Sequence, residues 1–307
     1  MSTGLIGLDW GSTHLRAYRY DGEGRVLEKR ALGHGVRQLP AGGFAEAFAQ
    51  AVADWPAAPV IACGMVGSRN GWHEVPYLDT PSHVDRLANA LTAMTTTDGR
   101  AVHIVPGLRD PSRPDVMRGE ETQVAGVAAL LPEVARRGCL LLPGTHSKWV
   151  SLRDGAVTGF ATVMTGELYG LLTQHSVLGA QLPPAIDDAQ AFLRGVDTAR
   201  DSGAAGALSC VFLARTLMLD GALPASSVAD FLSGLLIGDE LRIALASGWA
   251  NAHDSVHMVG EGPLCDRYLR AAERFGVVLR TTPDTTTSHG LWRIATAAGL
   301  VSTQATA

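Results

Sequence analysis

Two segments of the sequence share one pattern, and this repetition restricts most strongly what the chain can fold into. Each segment is an apolar stretch that ends in a glycine followed by hydroxyl residues, with an Asp-Gly pair ten residues after that glycine. The two glycines, Gly11 and Gly144, are 133 positions apart. Asp-Gly is a preferred hairpin turn, and a glycine turn exposes backbone N–H groups and hydroxyls that suit phosphate oxygens. The pattern therefore predicts two hairpins that hold a polyphosphate, one in each lobe; two ordinary hairpins are the alternative.

Composition limits the class of protein. The chain has 307 residues, 46% of them hydrophobic and 18% charged, which is typical of a soluble globular protein with two domains. Its net charge of -5 disfavours a nucleic-acid partner, which needs a clustered basic face. The most apolar long segment, residues 231–249, contains Asp239, Glu240 and Arg242, so it is predicted to be a buried helix and not a membrane span. The four cysteines form no C-x-x-C pair, which favours reduced thiols and a cytoplasmic location.

Hydrophobic periodicity predicts an α/β fold with mixed sheets, because strands come first in each half of the chain and helices follow. The predicted strands cover residues 4–9, 15–20, 25–32, 59–64, 101–105, 139–142, 255–259 and 277–280. The predicted helices cover residues 43–54, 83–94, 119–131, 165–178, 189–195, 203–220, 226–248, 264–275 and 288–299. The segment 106–116 holds three prolines and several charges. A boundary between domains 1–113 and 114–307 is therefore predicted there.

Three carboxylates are candidates for chemistry. Asp9 ends an apolar strand beside the first glycine turn, where it is well placed to hold a hydrated Mg²⁺; a turn-capping role is the alternative. Glu120 and Glu121 begin a predicted helix, where the helix dipole alone favours acidic residues. A glutamate that faces a cleft can also accept the proton of a substrate hydroxyl as it attacks phosphorus.

Basic side chains and further glycines lie near these loops. The basic candidates are Arg16, Arg69, Arg118 and Lys148. Arginine forms paired hydrogen bonds with carboxylates and phosphates, although each of these residues alone is typical of a protein surface. Residues 260–262 lack the third glycine of a dinucleotide-binding turn, but a glycine-rich turn before a helix can still contact a base or a phosphate. His146 lies inside the second glycine turn, and the histidines show no metal-ligand spacing.

Several motifs resemble those of the 2-dehydro-3-deoxygalactonokinase family. The residues that carry the resemblance are Gly64-Met65-Val66-Gly67-Ser68, Met117-Arg118-Gly119-Glu120-Glu121-Thr122-Gln123, Gly144-Thr145-His146-Ser147-Lys148-Trp149 and Met164-Thr165-Gly166-Glu167-Leu168. Residues 8–13 and 143–149 are similar to the two phosphate motifs of the wider superfamily of acetate and sugar kinases, actin and heat-shock ATPases. Residues 256–262 are similar to its adenosine motif. The likeness runs over nearly the whole chain.

The resemblance implies a two-lobed, actin-like ATPase (ribonuclease H-like) fold, with each lobe a mixed sheet flanked by helices and the nucleotide in the interlobe cleft. It implies ATP-dependent phosphorylation of 2-dehydro-3-deoxy-D-galactonate at its 6-hydroxyl in galactonate catabolism, with Mg²⁺ as cofactor. The expected partners are ATP and a small sugar acid, without nucleic acid or membrane, and a homodimer is expected because twofold dimers are the commonest oligomers. The alternatives are a kinase of another small sugar acid, such as 2-keto-3-deoxygluconate, and a non-catalytic ATP-dependent sugar sensor.

The motifs and the resemblance together give expected roles to individual residues. The expected nucleotide contacts are Gly11, Ser12, Thr13, His14, Gly144, Thr145, His146, Ser147, Lys148, Gly260 and Gly262. The expected sugar-acid contacts are Arg16, Ser68, Arg69, Trp72, Arg118 and Glu167. Asp9 is expected to hold Mg²⁺, and either Arg69 or Arg118 to bind the carboxylate of the sugar acid. Related kinases place a catalytic aspartate directly after a glycine; here Glu120 follows that glycine, so Glu120 is the expected base and Glu121 the alternative.

Overall fold

The computed structural model describes residues 4–180, 182–251 and 253–301. The chain divides into two compact units. Unit 1 comprises the residues up to Arg137, Leu152–Phe160 and the residues from Pro283 onward; unit 2 comprises Gly138–Ser151 and Ala161–Thr282. These units do not follow the predicted boundary between residues 113 and 114. The helix over residues 120–130 packs against the helix over residues 286–297, and both belong to unit 1.

The described residues form both strands and helices, as expected for an α/β protein. The strands are β1 (Leu5–Trp10), β2 (Leu15–Tyr20), β3 (Val26–Leu32), β4 (Val60–Gly64), β5 (Leu78–Asp79), β6 (Ser82–His83), β7 (Thr92–Thr95), β8 (Ala101–Ile104), β9 (Leu108–Asp110), β10 (Asp115–Met117), β11 (Arg137–Leu142), β12 (Ser147–Arg153), β13 (Ala156–Val163), β14 (Val256–Met258) and β15 (Leu279–Thr281). The α-helices are α1 (Gly43–Ala51), α2 (Arg86–Asn89), α3 (Glu120–Leu130), α4 (Pro132–Arg136), α5 (Thr165–His175), α6 (Ala189–Arg200), α7 (Leu213–Leu219), α8 (Val228–Ala246), α9 (Pro263–Phe275) and α10 (Thr286–Ala297).

The main sheet of unit 1 has the strand order β3-β2-β1-β4-β8-β7. Its central strand β1 pairs antiparallel with β2 and parallel with β4. The carboxyl ends of β1 and β4 therefore lie at one edge, where Asp9 is opposite Cys63 and Trp10 is opposite Gly64. Every residue of β1 except Asp9 is buried, so this aspartate is a partly exposed polar group at the end of an apolar strand.

Helices α3 and α10 of unit 1 touch through their backbones. A Cβ atom at Gly126 would lie 1.9 Å from the carbonyl oxygen of Thr286, and one at Gly290 would lie 1.9 Å from that of Thr122. No side chain fits at either position, so glycine is what allows the two helices to come so close. This contact fixes α3, whose first turn carries the two candidate glutamates, within unit 1.

The sheet that contains β11 has the strand order β15-β14-β11-β12-β13-β6. In unit 2, β14 pairs parallel with both β11 and β15, and α9 connects β14 to β15. Helices α6 and α8 approach closely as well, since a Cβ atom at Gly234 would lie 1.9 Å from the carbonyl oxygen of Phe192. One apolar core of unit 2 joins Leu141 of β11 to side chains of α6, α8 and α9.

The predicted α/β class with mixed sheets is confirmed, and two predicted helices are wrong. Over residues 83–94 only α2 is helical, and Thr92–Thr95 is strand β7, because pairing with β8 outweighs the local helix preference. Over residues 203–220 only α7 is α-helical, because Gly203 and Gly206 adopt left-handed φ angles of 58° and 71° and interrupt the helix. The segment 106–116, predicted to be a loop, contains the short strands β9 and β10.

The apolar segment 231–249 lies mostly in α8, as predicted, and many of its residues are buried. No helix in the described part of the chain has the length and apolar character needed to cross a membrane. The four cysteines are free thiols: Cys63, Cys139, Cys210 and Cys265.

Candidate active site

The first candidate site lies in unit 1, where the start of α3 meets the ends of β1 and β4. Gly64 has a φ of 92°, and a Cβ atom there would lie 2.7 Å from the carbonyl oxygen of Trp10. Gly119 has a φ of 110°, and a Cβ atom there would lie 3.2 Å from the Cα atom of Gly64. Both positions favour glycine, because a left-handed backbone and a close approach disfavour a side chain. We call Asp9, Cys63, Gly64, Gly119 and Glu121 the strand-end cluster.

Asp9 is the metal candidate of this cluster. Its side chain is 19% exposed, and its Oδ2 atom accepts a hydrogen bond from Nη1 of Arg16 at 3.2 Å. Burial raises the pKa of Asp9, while the charge and the hydrogen bond of Arg16 lower it. Arg16, a predicted sugar-acid contact, is thus paired with Asp9, and about half of its side chain stays exposed. The carboxylate keeps some access to solvent beside a half-exposed arginine.

The two glutamates at the start of α3 lie in different environments. Glu121 is fully buried; its Oε2 accepts the N–H of Gly119 at 2.7 Å, and its Oε1 accepts the hydroxyl of Thr122 at 3.1 Å. Burial, with the nearby charge of Glu120, raises the pKa of Glu121 to about 8. Glu120 is only half-buried, and its Oε2 accepts the N–H of Arg118 at 2.9 Å. At neutral pH, Glu121 is therefore mostly a neutral, enclosed acid, and Glu120 is the glutamate that retains exposure.

Arg118 is held in a fixed orientation in unit 1. Its guanidinium lies 4.2 Å from the centre of the Tyr77 ring, and its Nη2 donates to the carbonyl oxygen of Val75 at 2.7 Å. Its Nη1 lies over Gly67, 3.0 Å from where a Cβ atom of that residue would be. Within the described residues, Nη1 of Arg118 and the hydroxyl of Ser68 are buried without a hydrogen-bond partner. Two predicted sugar-acid contacts therefore have unused hydrogen-bonding groups, and both lie next to Gly67.

The other two predicted sugar-acid contacts in the loop after β4 differ in exposure. Arg69 is exposed. Trp72 is half-buried and stacks on the ring of Phe44 at 6.0 Å, with its edge against Trp10 at 5.8 Å. These contacts make Trp72 part of the aromatic core beside β1, and its predicted contact with a sugar acid stays a prediction.

The first glycine turn is a tight connection between β1 and β2. The N–H of Gly11 donates to the carbonyl oxygen of His14 at 2.9 Å, and the hydroxyl of Thr13 bonds to Nδ1 of His14 at 2.9 Å. Backbone N–H groups of residues 35–37 donate to the carbonyls of Gly11, Ser12 and Thr13. These bonds engage the carbonyl groups of the turn. Thr13 and His14 remain exposed.

The second glycine turn lies in unit 2, between β11 and β12, and α5 begins directly against it. A Cβ atom at Gly166 would lie 2.5 Å from the carbonyl oxygen of Gly144, and the N–H of Glu167 donates to the carbonyl oxygen of Thr145 at 3.0 Å. The carboxylate of Glu167 bonds to Nε2 of His146, and both side chains are about half exposed. Glu167, a predicted sugar-acid contact, is thus brought to the predicted phosphate-binding turn.

The remaining predicted nucleotide contacts of unit 2 differ in placement. Lys148 is buried, and its Nζ donates to the hydroxyl of Thr162 at 2.7 Å on the neighbouring strand. Gly260 and Gly262 have φ angles of 137° and 81°, and Gly262 caps the start of α9. Both glycines therefore turn the chain from β14 into α9 in a conformation that other residues rarely adopt.

A pocket of 220 Å³ lies between the second glycine turn and the start of α9. Its lining residues are Gly144, Thr165, Gly166, Tyr169, Ser233, Leu236, Ile237, Pro263, Leu264, Arg267 and Tyr268. Most of these residues carry no motif in the sequence and were not predicted. The pocket combines an apolar wall with a few hydroxyl groups and one guanidinium, as small-molecule sites generally do.

Sequence reasoning also missed a buried carboxylate behind this pocket. Glu240 of α8 has no exposed surface and accepts hydrogen bonds from Trp149, Thr165 and Tyr268. The one signal in the sequence is a carboxylate within the apolar segment 231–249, because a carboxylate is buried there only when donors compensate for its lost hydration.

Comparison with known proteins identifies relatives of the whole chain. A profile of the family described as 2-keto-3-deoxy-galactonokinase matches residues 9–294. The curated 2-dehydro-3-deoxygalactonokinase of Escherichia coli (strain K12) is 37% identical over 300 residues, which are 96% of this chain and 98% of that protein. A crystal structure from Sinorhizobium meliloti, provisionally assigned as a 2-dehydro-3-deoxygalactonokinase, has a TM-score of 0.85 and 36% identity and covers 95% of this chain and 98% of its own.

A more distant likeness concerns the fold alone. The activator of the 2-hydroxyisocaproyl-CoA dehydratase from Clostridium difficile, solved with bound ADPNP, has a TM-score of 0.53 at 13% identity, over 97% of this chain and 96% of that one. The predicted actin-like ATPase fold class is thereby confirmed. From the profile match and the identity over nearly the full length, the chain belongs to the 2-keto-3-deoxy-galactonokinase family.

Proposed function

We propose that this protein transfers the terminal phosphoryl group of ATP to the 6-hydroxyl of 2-dehydro-3-deoxy-D-galactonate, as a step in galactonate breakdown. Family membership carries the proposal, because the matched residues 9–294 include every residue with a predicted role. The relative from Escherichia coli, whose name is that of this kinase, matches almost the whole chain. The candidate groups in each unit are also of the kinds that phosphoryl transfer needs: a carboxylate for a metal, a base, and turns that can bind phosphate.

The pocket of unit 2 supports binding of the base and ribose of ATP. Its apolar wall, formed by Leu236, Ile237 and Leu264, suits the faces of a purine. Gly144 lines the same pocket, so a nucleotide there has its phosphates beside the second glycine turn. The start of α9 at Pro263 also lines the pocket, and the positive end of a helix favours an anionic ligand.

The strand-end cluster fits a hydrated Mg²⁺ that is held by one carboxylate. Mg²⁺ binds through one or two carboxylates and otherwise keeps water and phosphate oxygens. Asp9 has one such carboxylate, which is partly exposed, and a bound Mg²⁺ would replace its contact with Arg16. The described residues contain no group of three His, Cys, Asp or Glu side chains that would hold a metal by themselves, which agrees with a metal bound largely through the nucleotide. When bound, Mg²⁺ would neutralise charge on the phosphate oxygens.

Glu120 is the proposed base. Its half-exposed carboxylate can orient the 6-hydroxyl of the sugar acid and accept its proton, a role that contributes roughly 10²- to 10⁴-fold in rate. Both oxygens of Glu121 are bonded to groups of its own helix turn, and the residue has no exposed surface. Glu121 therefore supports the start of α3 and does not contact the substrate.

Arg118 is the proposed partner of the sugar-acid carboxylate. Its guanidinium is pre-oriented by Tyr77 and Val75, and the side chain is only half-buried, so part of it can meet a ligand. Arg118 is already oriented, so it would lose less conformational freedom on binding a carboxylate than the exposed Arg69 would. This difference favours Arg118 as the partner of the sugar-acid carboxylate.

A coupled assay of ADP formation tests the reaction. With ATP and Mg²⁺, 2-dehydro-3-deoxy-D-galactonate should give ADP and its 6-phosphate, and 2-dehydro-3-deoxy-D-gluconate should be a poorer substrate. An analogue without the 6-hydroxyl is the matched control, since it keeps the carboxylate and should not be phosphorylated. ADP formation that is independent of any acceptor would instead favour the ATP-dependent sensor. No turnover of the galactonate compound would refute the proposed reaction.

A further inference from the structure

Glu240 is a buried carboxylate on which three other elements of unit 2 converge. It lies on α8 and accepts hydrogen bonds from Nε1 of Trp149 on β12 at 2.9 Å and from the hydroxyl of Tyr268 on α9 at 2.6 Å. The hydroxyl of Thr165, the first residue of α5, donates to the same carboxylate oxygen as Tyr268. All three donors are neutral groups, Glu240 itself has no exposed surface, and burial raises its pKa.

The hydroxyl of Ser147 belongs to the same network. Tyr268 has a single hydroxyl proton, and its short bond to the carboxylate uses that proton. The hydroxyl of Ser147 lies 3.1 Å from that of Tyr268 and also bonds to Glu240. Ser147 and Tyr268 therefore share this carboxylate. Ser147 is fully buried, so its hydroxyl is held within this network.

The partners of Glu240 divide into two groups. Thr165 and Tyr268 line the 220 Å³ pocket, and Trp149 does not. Ser147 directly follows the second glycine turn, where it begins β12. The carboxyl group thus lies behind both the pocket wall and the glycine turn, and it joins them through the hydroxyls of Thr165, Tyr268 and Ser147.

We propose that Glu240 is a positioning residue of the nucleotide site, which holds Thr165, Tyr268 and Ser147 in the arrangement that binds ATP. The inference rests on the proposed function for the identity of the nucleotide. Glu240 makes no contact with the nucleotide in this arrangement and acts through its partners. Its loss should weaken ATP binding and should leave the sugar-acid contacts of unit 1 intact.

The test compares three changes to this network with a matched control in direct binding measurements. Glu240→Gln replaces one acceptor oxygen by an NH2 group, which is itself a donor and is placed against other donors. Tyr268→Phe and Thr165→Val each remove one hydroxyl and leave the rest of the pocket-lining side chain in place. Each should raise the Kd for a non-hydrolysable ATP analogue by roughly 10- to 100-fold, because each leaves a buried polar group without its partner. Trp149→Phe is the control, because it removes a bond to the same carboxylate but no pocket residue. It should lower the Tm and change the Kd by less than about threefold.

Two results would overturn the inference. One is an unchanged Kd in Tyr268→Phe and Thr165→Val, which would mean that the network serves stability alone. The other is an equal loss of binding in Trp149→Phe. If Glu240→Gln does not fold, the two single-hydroxyl variants decide. A wild-type protein that binds the analogue but phosphorylates no sugar acid would refute the proposed reaction and leave this inference standing.

Discussion

Replacing Glu121 by glutamine should remove a pH dependence of folding that originates in the first turn of α3. The carboxyl group is fully buried, and burial together with the charge of Glu120 raises its pKa to about 8, from an ordinary value of 4.5. Between these two pH values the unfolded chain has released a proton that the folded chain keeps. Folding stability therefore decreases as the pH rises through this range.

The size of the effect follows from the two pKa values. Each tenfold change in proton affinity is worth about 1.4 kcal/mol, so the whole contribution is about 5 kcal/mol. It is fully present below the unfolded pKa of 4.5, has decreased by about 3 kcal/mol at neutral pH, and is lost once the pH exceeds the folded value of about 8. Glutamine cannot ionise, and its single oxygen can still accept the N–H of Gly119.

The assay is urea denaturation of the wild type and the Glu121→Gln variant at several pH values from about 5 to about 8. Both proteins contain the same histidines, so the contribution of histidine titration is absent from the difference between their free energies of unfolding. This difference should change in favour of the variant by about 4 kcal/mol across the range. Parallel stability curves would show that Glu121 is ionised in the folded protein, and the reasoning from its burial would fail.

Three further predictions concern activity. Asp9→Asn should fold normally and lose several orders of magnitude in turnover, measured by the coupled assay at saturating Mg²⁺; near-normal turnover would contradict the metal role. Glu120→Gln should lower kcat by roughly 10²- to 10⁴-fold with little change in the KM for ATP, whereas an equal loss in Glu121→Gln would assign the base differently. Arg118→Gln should raise the KM for the sugar acid by at least about tenfold, and Arg69→Gln should change it little; the opposite ranking would give the carboxylate to Arg69.

Short-range signals were sufficient for much of this fold. The Asp-Gly pair at residues 154–155 forms the two-residue turn between β12 and β13, and both residues have left-handed φ angles of 49° and 74°. The other pair marks the turn after β2, where Asp21 accepts backbone N–H groups of Glu23 and Arg25. In each case the turn chemistry depends only on neighbouring residues, so a single sequence contains it.

The parts that sequence reasoning missed depend on distant partners. Glu240 meets Trp149, Thr165 and Tyr268 across 91, 75 and 28 positions of sequence. The guanidinium of Arg118 is oriented by Val75, 43 positions away. No local spacing encodes such contacts, which exist only after the elements have packed. The residues at the start of α3 were predicted, but the raised pKa of Glu121 follows from its burial, which the sequence does not state.

The backbone contact between α3 and α10 limits how the proposed base can move. A side-chain interface can adjust by changing rotamers, but the Gly126 and Gly290 contacts leave nothing to rotate. Helix α10 is in turn tied to β2, because the hydroxyl of Tyr20 donates to the carbonyl oxygen of Ser288 at 2.9 Å. A tilt of α3 would therefore displace α10 from the central sheet. Glu120 is held in a fixed position for this reason, and the sugar acid must bind with its reacting hydroxyl aligned to it.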